Sequence, residues 1–130
     1  MFAVDMHKII QPLISADIIN YHYRFYNNSK TNIIYIKIEG IAEACLYWYL
    51  DDTSVVYLCN LNVKPQHRRK GICLQLQILH EQIGKNLNAT QACLWVRKGS
   101  WMHEWYKKRG YSDLENHSQI GFIWMIKQLN

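Results

Sequence analysis

The sequence predicts an α+β fold in one continuous domain, residues 1–130, and three observations carry that prediction. Three β-rich runs follow one another directly: Asn32 to Glu39, Ala42 to Leu50 and Ser54 to Val63, dense in Ile, Tyr, Trp and Val. From Gly71 the apolar spacing changes to three and four residues, the period of a helix with one buried face. No repeat, low-complexity tract or linker interrupts the 130 residues, a length that suits one core.

In chain order, Asp5 is a candidate cap, and after Pro12 the apolar Leu13, Ile14, Ile18, Tyr21 and Phe25 recur at helical spacing. Met6 to Tyr26 therefore reads as one broken or two short helices, ended by the Asn-Asn-Ser-Lys stretch from Asn27 to Lys30. Gly40 and the Asp51-Asp52 pair supply turns that make the next three runs an antiparallel meander. Ile72, Leu76, Leu79, Ile83 and Leu87 form the helix's buried stripe, with Glu81 and Lys85 as an outward i,i+4 pair. Ala92 to Val96 is a further strand, and Ser100 caps a helix whose terminating glycine is Gly110. Tyr111 begins a strand-like return and Ile120 to Lys127 is the last strand.

Composition narrows the function classes. With 49% hydrophobic and 19% charged residues the chain is a folded globule and not a disordered tail. Met1 to Ile10 carries Asp5, His7 and Lys8 and so lacks a signal-peptide core, and no run reaches membrane-spanning length; a cytoplasmic protein without membrane contact is expected. Cys45, Cys59, Cys73 and Cys93 fall in no metal-ligand spacing and read as buried free thiols, with no metal site. The net charge of +5 suits an anionic partner. Its distribution is sharper: Lys64, His67, Arg68, Arg69 and Lys70 share one loop, and Lys107, Lys108 and Arg109 close a helix.

The stretch from Leu61 to Leu76 passes from a strand through that basic loop into a helix. Helix-initial N–H groups lack intrahelical partners and sit at the positive end of the macrodipole, so they can cradle a pyrophosphate. Gly71 removes the Cβ that would bar close approach, and the basic side chains add charge. Val63 and Pro65, then Arg68-Arg69-Lys70-Gly71-Ile72-Cys73, resemble the pyrophosphate loop of the GNAT superfamily of acetyl-coenzyme A-dependent N-acetyltransferases, in which V-x-P precedes Gln/Arg-x-x-Gly-x-Gly/Ala. Cys73 is a departure, standing where Gly or Ala is usual. A second segment, Trp105-Tyr106-Lys107-Lys108-Arg109-Gly110-Tyr111, is similar to that family's L-Y-x-x-x-G-F ending, in the right order after the first. The likeness runs from about Ile33 to Lys127.

The resemblance implies a central, mostly antiparallel mixed sheet flanked by helices, with a shortened N-terminal part. It implies acetyl-coenzyme A bound by Arg68, Arg69, Lys70, Gly71, Ile72 and Cys73, with the backbone of Leu61, Asn62 and Val63 holding pantetheine and one N–H polarising the thioester carbonyl. Ser100 stands where the family commonly has an Asn that contacts the cofactor. Tyr106 takes the place of the general acid that protonates the departing thiolate; the alternative is simple packing against Met102. Trp101 and Trp105 share a face and read as core.

The implied reaction is direct transfer of acetyl to a primary amine, and the amine must first lose its proton. Many members place a carboxylate on the strand before the loop, whereas Val55 to Val63 has none. Glu43, Asp51, Asp52 and His117, the last in the loop before the final strand, are candidates, as is a water chain held by Asn60 or Tyr57. Cys59 is not expected to act as a nucleophile forming an acyl-enzyme. Tyr47, Trp48 and Tyr49 are candidates to line the acceptor site. Two other readings stand beside this one: a coenzyme A-binding domain without catalysis, and a nucleic-acid-binding protein using the basic loop, which no recognisable nucleic-acid motif supports. Acceptor identity and assembly, monomer or homodimer, are open from sequence.

Overall fold

The computed structural model describes residues 21–68 and 71–129. The strands are β1 (Tyr21–Asn27), β2 (Thr31–Ile38), β3 (Ala42–Tyr49), β4 (Asp52–Val63), β5 (Gln91–Arg97), β6 (Ser112–Gln119) and β7 (Phe122–Gln128). Among the described residues two α-helices, α1 (Ile72–Asn86) and α2 (Trp101–Lys107), flank β5 in sequence, and a 3-10 turn, Pro65–His67, leads out of β4. The strands form one seven-stranded sheet in the order β1-β2-β3-β4-β5-β7-β6. Every pairing is antiparallel except β4 with β5. This is the mostly antiparallel mixed sheet that the resemblance implies.

The meander forms where expected. Gly40 takes φ +74° at the β2–β3 turn, and Asn28 Oδ1 accepts from the N–H groups of Lys30 and Thr31 to close β1–β2. Alternation sends Ile34, Ile36 and Ile38 of β2 and Ala44, Leu46 and Trp48 of β3 to one buried face. Leu76, Leu79 and Ile83 of α1 pack on that same core. All five residues of the helix stripe read from sequence are buried. α1 lies close to β4: a Cβ added at Gly84 would stand 2.8 Å from Val56 Cγ1 and 2.6 Å from Leu129 Cδ1.

Several expectations are corrected. Tyr21 to Tyr26, read as the end of a helix, belongs to β1, whose seven residues all pair with β2; an aromatic run beside a free sheet edge gains more from the ladder than from helical spacing. The rest of that helical expectation, residues 6–20, lies outside the described residues. Ile120 is not strand: it and Gly121 take φ +36° and +79° as the two-residue turn of the β6–β7 hairpin, the positive-φ pair that matches strand twist. His117 consequently sits in β6 and not in a loop. Glu81 does not reach Lys85. It accepts instead from Lys127 Nζ at 3.0 Å, Tyr111 Oη at 3.2 Å and the Gln77 amide. Cys73 and Cys93 are buried as expected, but Cys45 and Cys59 are only half-buried.

Candidate active site

The site is built around the place where β4 leaves its neighbour. The parallel ladder joins Val55–Leu58 of β4 to Gln91–Leu94 of β5 and ends there, although β4 continues to Val63 and β5 to Arg97. A bulge explains the divergence. Cys45 faces Cys59 but Glu43 faces Asn62, so β4 holds one more residue than β3 in this interval. Bulges bend a strand and increase its twist. This one also inverts the parity of the strand end: Val63 turns into the helix-side core, 2% exposed, and Asn62 joins Glu43 on the opposite face. Between the parted strands is a cavity of about 350 Å³ whose walls include Leu61, Leu94, Trp95, Ser100 and Tyr106.

At the end of β4 the chain turns through Pro65–His67 and enters α1 at Gly71, whose φ of +80° only glycine adopts without strain. The first intrahelical bond is donated by Gln75 N–H to the Gly71 carbonyl at 3.0 Å, so the N–H groups of Ile72, Cys73 and Leu74 precede the ladder and face outward from the helix start. A second cavity, about 510 Å³, opens against them and is lined further by His67, Arg68, Trp101, Trp105 and Arg109. Arg68 Nε donates to the Val63 carbonyl at 3.1 Å while its guanidinium lies 5.1 Å from the Trp101 ring centre. Arg109 lies 4.2 Å over Trp105. Trp101, expected in the core, is 43% exposed; it is a wall of this cavity. Cys73 is buried and burial pushes its thiol up, with Arg68 opposing. Arg69 and Lys70 lie outside the described residues.

Tyr106 projects from α2, a helix of seven residues held at both ends. Ser100 is the cap expected from sequence: its Oγ accepts from His103 N–H at 3.2 Å and donates to the Arg97 carbonyl at 2.7 Å. At the other end Tyr111 N–H reaches the Tyr106 carbonyl and Gly110 N–H the Lys107 carbonyl, the paired bonds of a glycine-terminated helix, with Gly110 at φ +94°. His103 adds a clamp that the sequence reading passed over. Its Nδ1 accepts from Gly99 N–H at 2.9 Å, which leaves Nε2–H to donate to Asp113 Oδ1 at 2.8 Å, tying the loop before α2 to β6. The available signal was its spacing: three residues before Tyr106, it shares that residue's inward face.

Tyr106 is 2% exposed, its ring edge-on to Tyr111 at 5.4 Å. Its hydroxyl is buried without a hydrogen-bond partner among the described residues. Burial pushes the phenol's pKa up, and the nearby Cys73 and Glu81 push it further. It is therefore a neutral O–H with its proton unused, on the wall of the cavity between β4 and β5. An orphaned buried donor of this kind costs roughly 1–3 kcal/mol until something accepts from it.

The candidate bases separate by position. Asp51 lies in the β3–β4 turn and Asp52 opens β4, so both are at the far end of that strand from Val63, roughly 20 Å from Leu58 where the ladder with β5 ends. Tyr57 is stacked on Tyr47 at 4.9 Å and edge-on to Trp124, and burial pushes its pKa up. Glu43 lies across the ladder from Asn62, lines a depression of about 230 Å³ with it, and accepts from Tyr35 Oη at 2.7 Å. Of the three residues proposed for the acceptor, Trp48 is buried on the helix side, whereas Tyr47 and Tyr49 are on the other face with Glu43.

No family model and no curated protein matches this sequence. Solved structures match with high coverage. A candidate acyl-CoA N-acyltransferase of Klebsiella pneumoniae superposes with a TM-score of 0.60 over 81% of this chain and 77% of its own, at 14% identity. The PaiA N-acetyltransferase of Thermoplasma acidophilum, in complex with coenzyme A, gives 0.59 over 76% of this chain at 19% identity; this chain spans 61% of its length. A GNAT family acetyltransferase of Elizabethkingia anophelis with acetyl-CoA bound gives 0.58 over 85% of this chain and 99% of its own, at 15% identity.

Proposed function

The chain has the GNAT acyl-CoA N-acyltransferase fold, and we propose that it is an acetyl-coenzyme A-dependent N-acetyltransferase acting by direct transfer to a primary amine. The observation that carries the proposal is the Tyr106 hydroxyl, without a partner among the described residues, in the cavity where β4 and β5 part. Two of the structural neighbours hold coenzyme A or acetyl-CoA, and the residues present here fit the same group. The N–H groups of Ile72, Cys73 and Leu74 would take the pyrophosphate, with Gly71 admitting it closely and Arg68, Arg69 and Lys70 supplying charge. The free edge of Leu61, Asn62 and Val63 would pair with pantetheine, and one of its N–H groups would polarise the carbonyl. Ser100, with its hydroxyl engaged as a cap, would touch the ligand from the cavity wall.

Acetyl-coenzyme A supplies a thioester carbonyl open to attack by an amine. Tyr106 keeps its proton throughout the physiological range because burial disfavours the phenolate, so it is always available to donate to the sulfur that leaves. Glu43, on the face shared with Asn62, is the carboxylate best placed to receive the amine's proton, directly or through water. Turnover of acetyl-coenzyme A against a panel of amines tests the reading: the wild type should acetylate at least one, and Tyr106→Phe should lose roughly 10²- to 10⁴-fold in rate. An unchanged rate in the variant would remove Tyr106 from the role.

A second reading, a coenzyme A-binding domain without catalysis, is favoured by one feature: Val55 to Val63 bears no carboxylate. Binding of coenzyme A with no turnover on any amine would select it. The nucleic-acid reading draws less support, since Arg68 and Arg109 are turned onto Trp101 and Trp105 around a concave cavity and not spread on an open face.

A further inference from the structure

Cys45 of β3 and Cys59 of β4 stand directly opposite each other in an antiparallel ladder, immediately before the bulge. Directly opposed residues in such a ladder have Cα atoms about 4.5 or 5.5 Å apart. Both separations fall inside the roughly 4.4–6.8 Å that a disulfide spans. Both side chains are half-buried, whereas Cys73 and Cys93 are buried. Both point to the face that carries Tyr35, Glu43 and the stacked Tyr47–Tyr57 pair, away from the helix-side core. Among the described residues no third Cys, His, Asp or Glu completes a metal set with them.

From this geometry we infer that Cys45 and Cys59 form a cross-strand dithiol, a modification site for peroxide-class oxidants that closes to an intramolecular disulfide between β3 and β4. The balance is simple. The Cys45 sulfur attacks one peroxide oxygen, the O–O bond breaks and water leaves, giving a sulfenic acid. The Cys59 sulfur then attacks the sulfenic sulfur, the S–S bond forms as S–O breaks, and the Cys59 proton leaves with the hydroxide as a second water. Two thiols are oxidised and one hydroperoxide is reduced. The contact between the thiols favours one thiolate in the pair: a hydrogen bond with Cys59 lowers Cys45, against the opposing effect of burial, and the same bond pushes Cys59 up. The pair thus holds one thiolate readily and keeps the second proton.

The site stands on the ladder register alone and is independent of the acetyl-transfer reading. The test is covalent and needs no substrate: the full chain is treated with hydrogen peroxide, free thiols are blocked with N-ethylmaleimide after unfolding, and peptides are mapped without reductant. The expected product is a linked peptide joining Cys45 to Cys59, two hydrogens lighter, with Cys73 and Cys93 still alkylated and the link undone by dithiothreitol. Cys93→Ser should give the same link, and Cys59→Ser should leave a dimedone-reactive sulfenic acid at Cys45. Four alkylated cysteines, a link from either residue to Cys93 or Cys73, or a link only between copies would overturn the inference. The wild-type map decides by itself should Cys59→Ser fail to fold.

Discussion

At the scale of single residues, two buried side chains have opposite debts. Tyr106 carries a hydroxyl that nothing among the described residues accepts from, so its removal should not weaken the fold. Urea unfolding of Tyr106→Phe should give a stability equal to the wild type or higher by up to about 1 kcal/mol, even as turnover falls; a clear loss of stability would mean the hydroxyl is structurally engaged. His80 is wholly buried against the Val56 carbonyl, 3.0 Å from its Nε2, and burial pushes it down to about 4. Below its ordinary value near 6.5 the unfolded chain binds a proton that the folded chain refuses. Stability is therefore full above about pH 6.5 and falls as pH drops toward 4, by up to a few kcal/mol. His80→Gln should flatten that slope, and an unchanged slope would assign it to other groups.

At the scale of elements, the start of α1 and its seat on β4 make separate predictions. Gly71 sits at φ +80° with nothing within 4 Å of a notional Cβ, so space is free but the conformation is not. Gly71→Ala should strain the loop by about 1 kcal/mol and weaken coenzyme A binding several-fold in calorimetry; unchanged affinity would detach this turn from the ligand. Gly84 faces the reverse constraint. A methyl there meets the stiff Val56 side chain at 2.8 Å, and overpacking of about 1–3 kcal/mol exceeds the roughly 1 kcal/mol that Ala gains in a helix. Gly84→Ala should therefore lower the unfolding midpoint, and a raised midpoint would show that the helix can retreat.

The same elements show what a sequence carries locally. α1, its stripe, the Ser100 cap and the Gly110 terminus were legible because each follows from neighbours within one or two helical turns. The strands β2 to β4 were legible from β-branched and aromatic density. β1 was not, because Ile18, Tyr21 and Phe25 match a helical period while the partner that makes Tyr21–Asn27 a strand lies in β2. The bulge that turns Asn62 toward Glu43, the clamp from His103 to Asp113 and the facing of Cys45 with Cys59 are all register facts. None of them is encoded by spacing along one segment.

At the scale of the whole molecule, β7 inserted between β5 and β6 completes the sheet and leaves β4 and β5 parted at one end. α1 brings Gly71 and Cys73 to one cavity and α2 brings Tyr106 to the other, and the two cavities share Arg68 and Trp101 as walls. The helix start and the buried phenol with the free strand edge thus line adjoining cavities, which is the physical content of the acetyltransferase reading. A ligand that fits all three must stabilise the folded chain by mass action. The most direct measurement is a thermal-unfolding titration with acetyl-coenzyme A. The midpoint should rise progressively with concentration, by the equivalent of about 2.7 kcal/mol at one hundred times the dissociation constant; no rise at millimolar acetyl-coenzyme A would contradict the account.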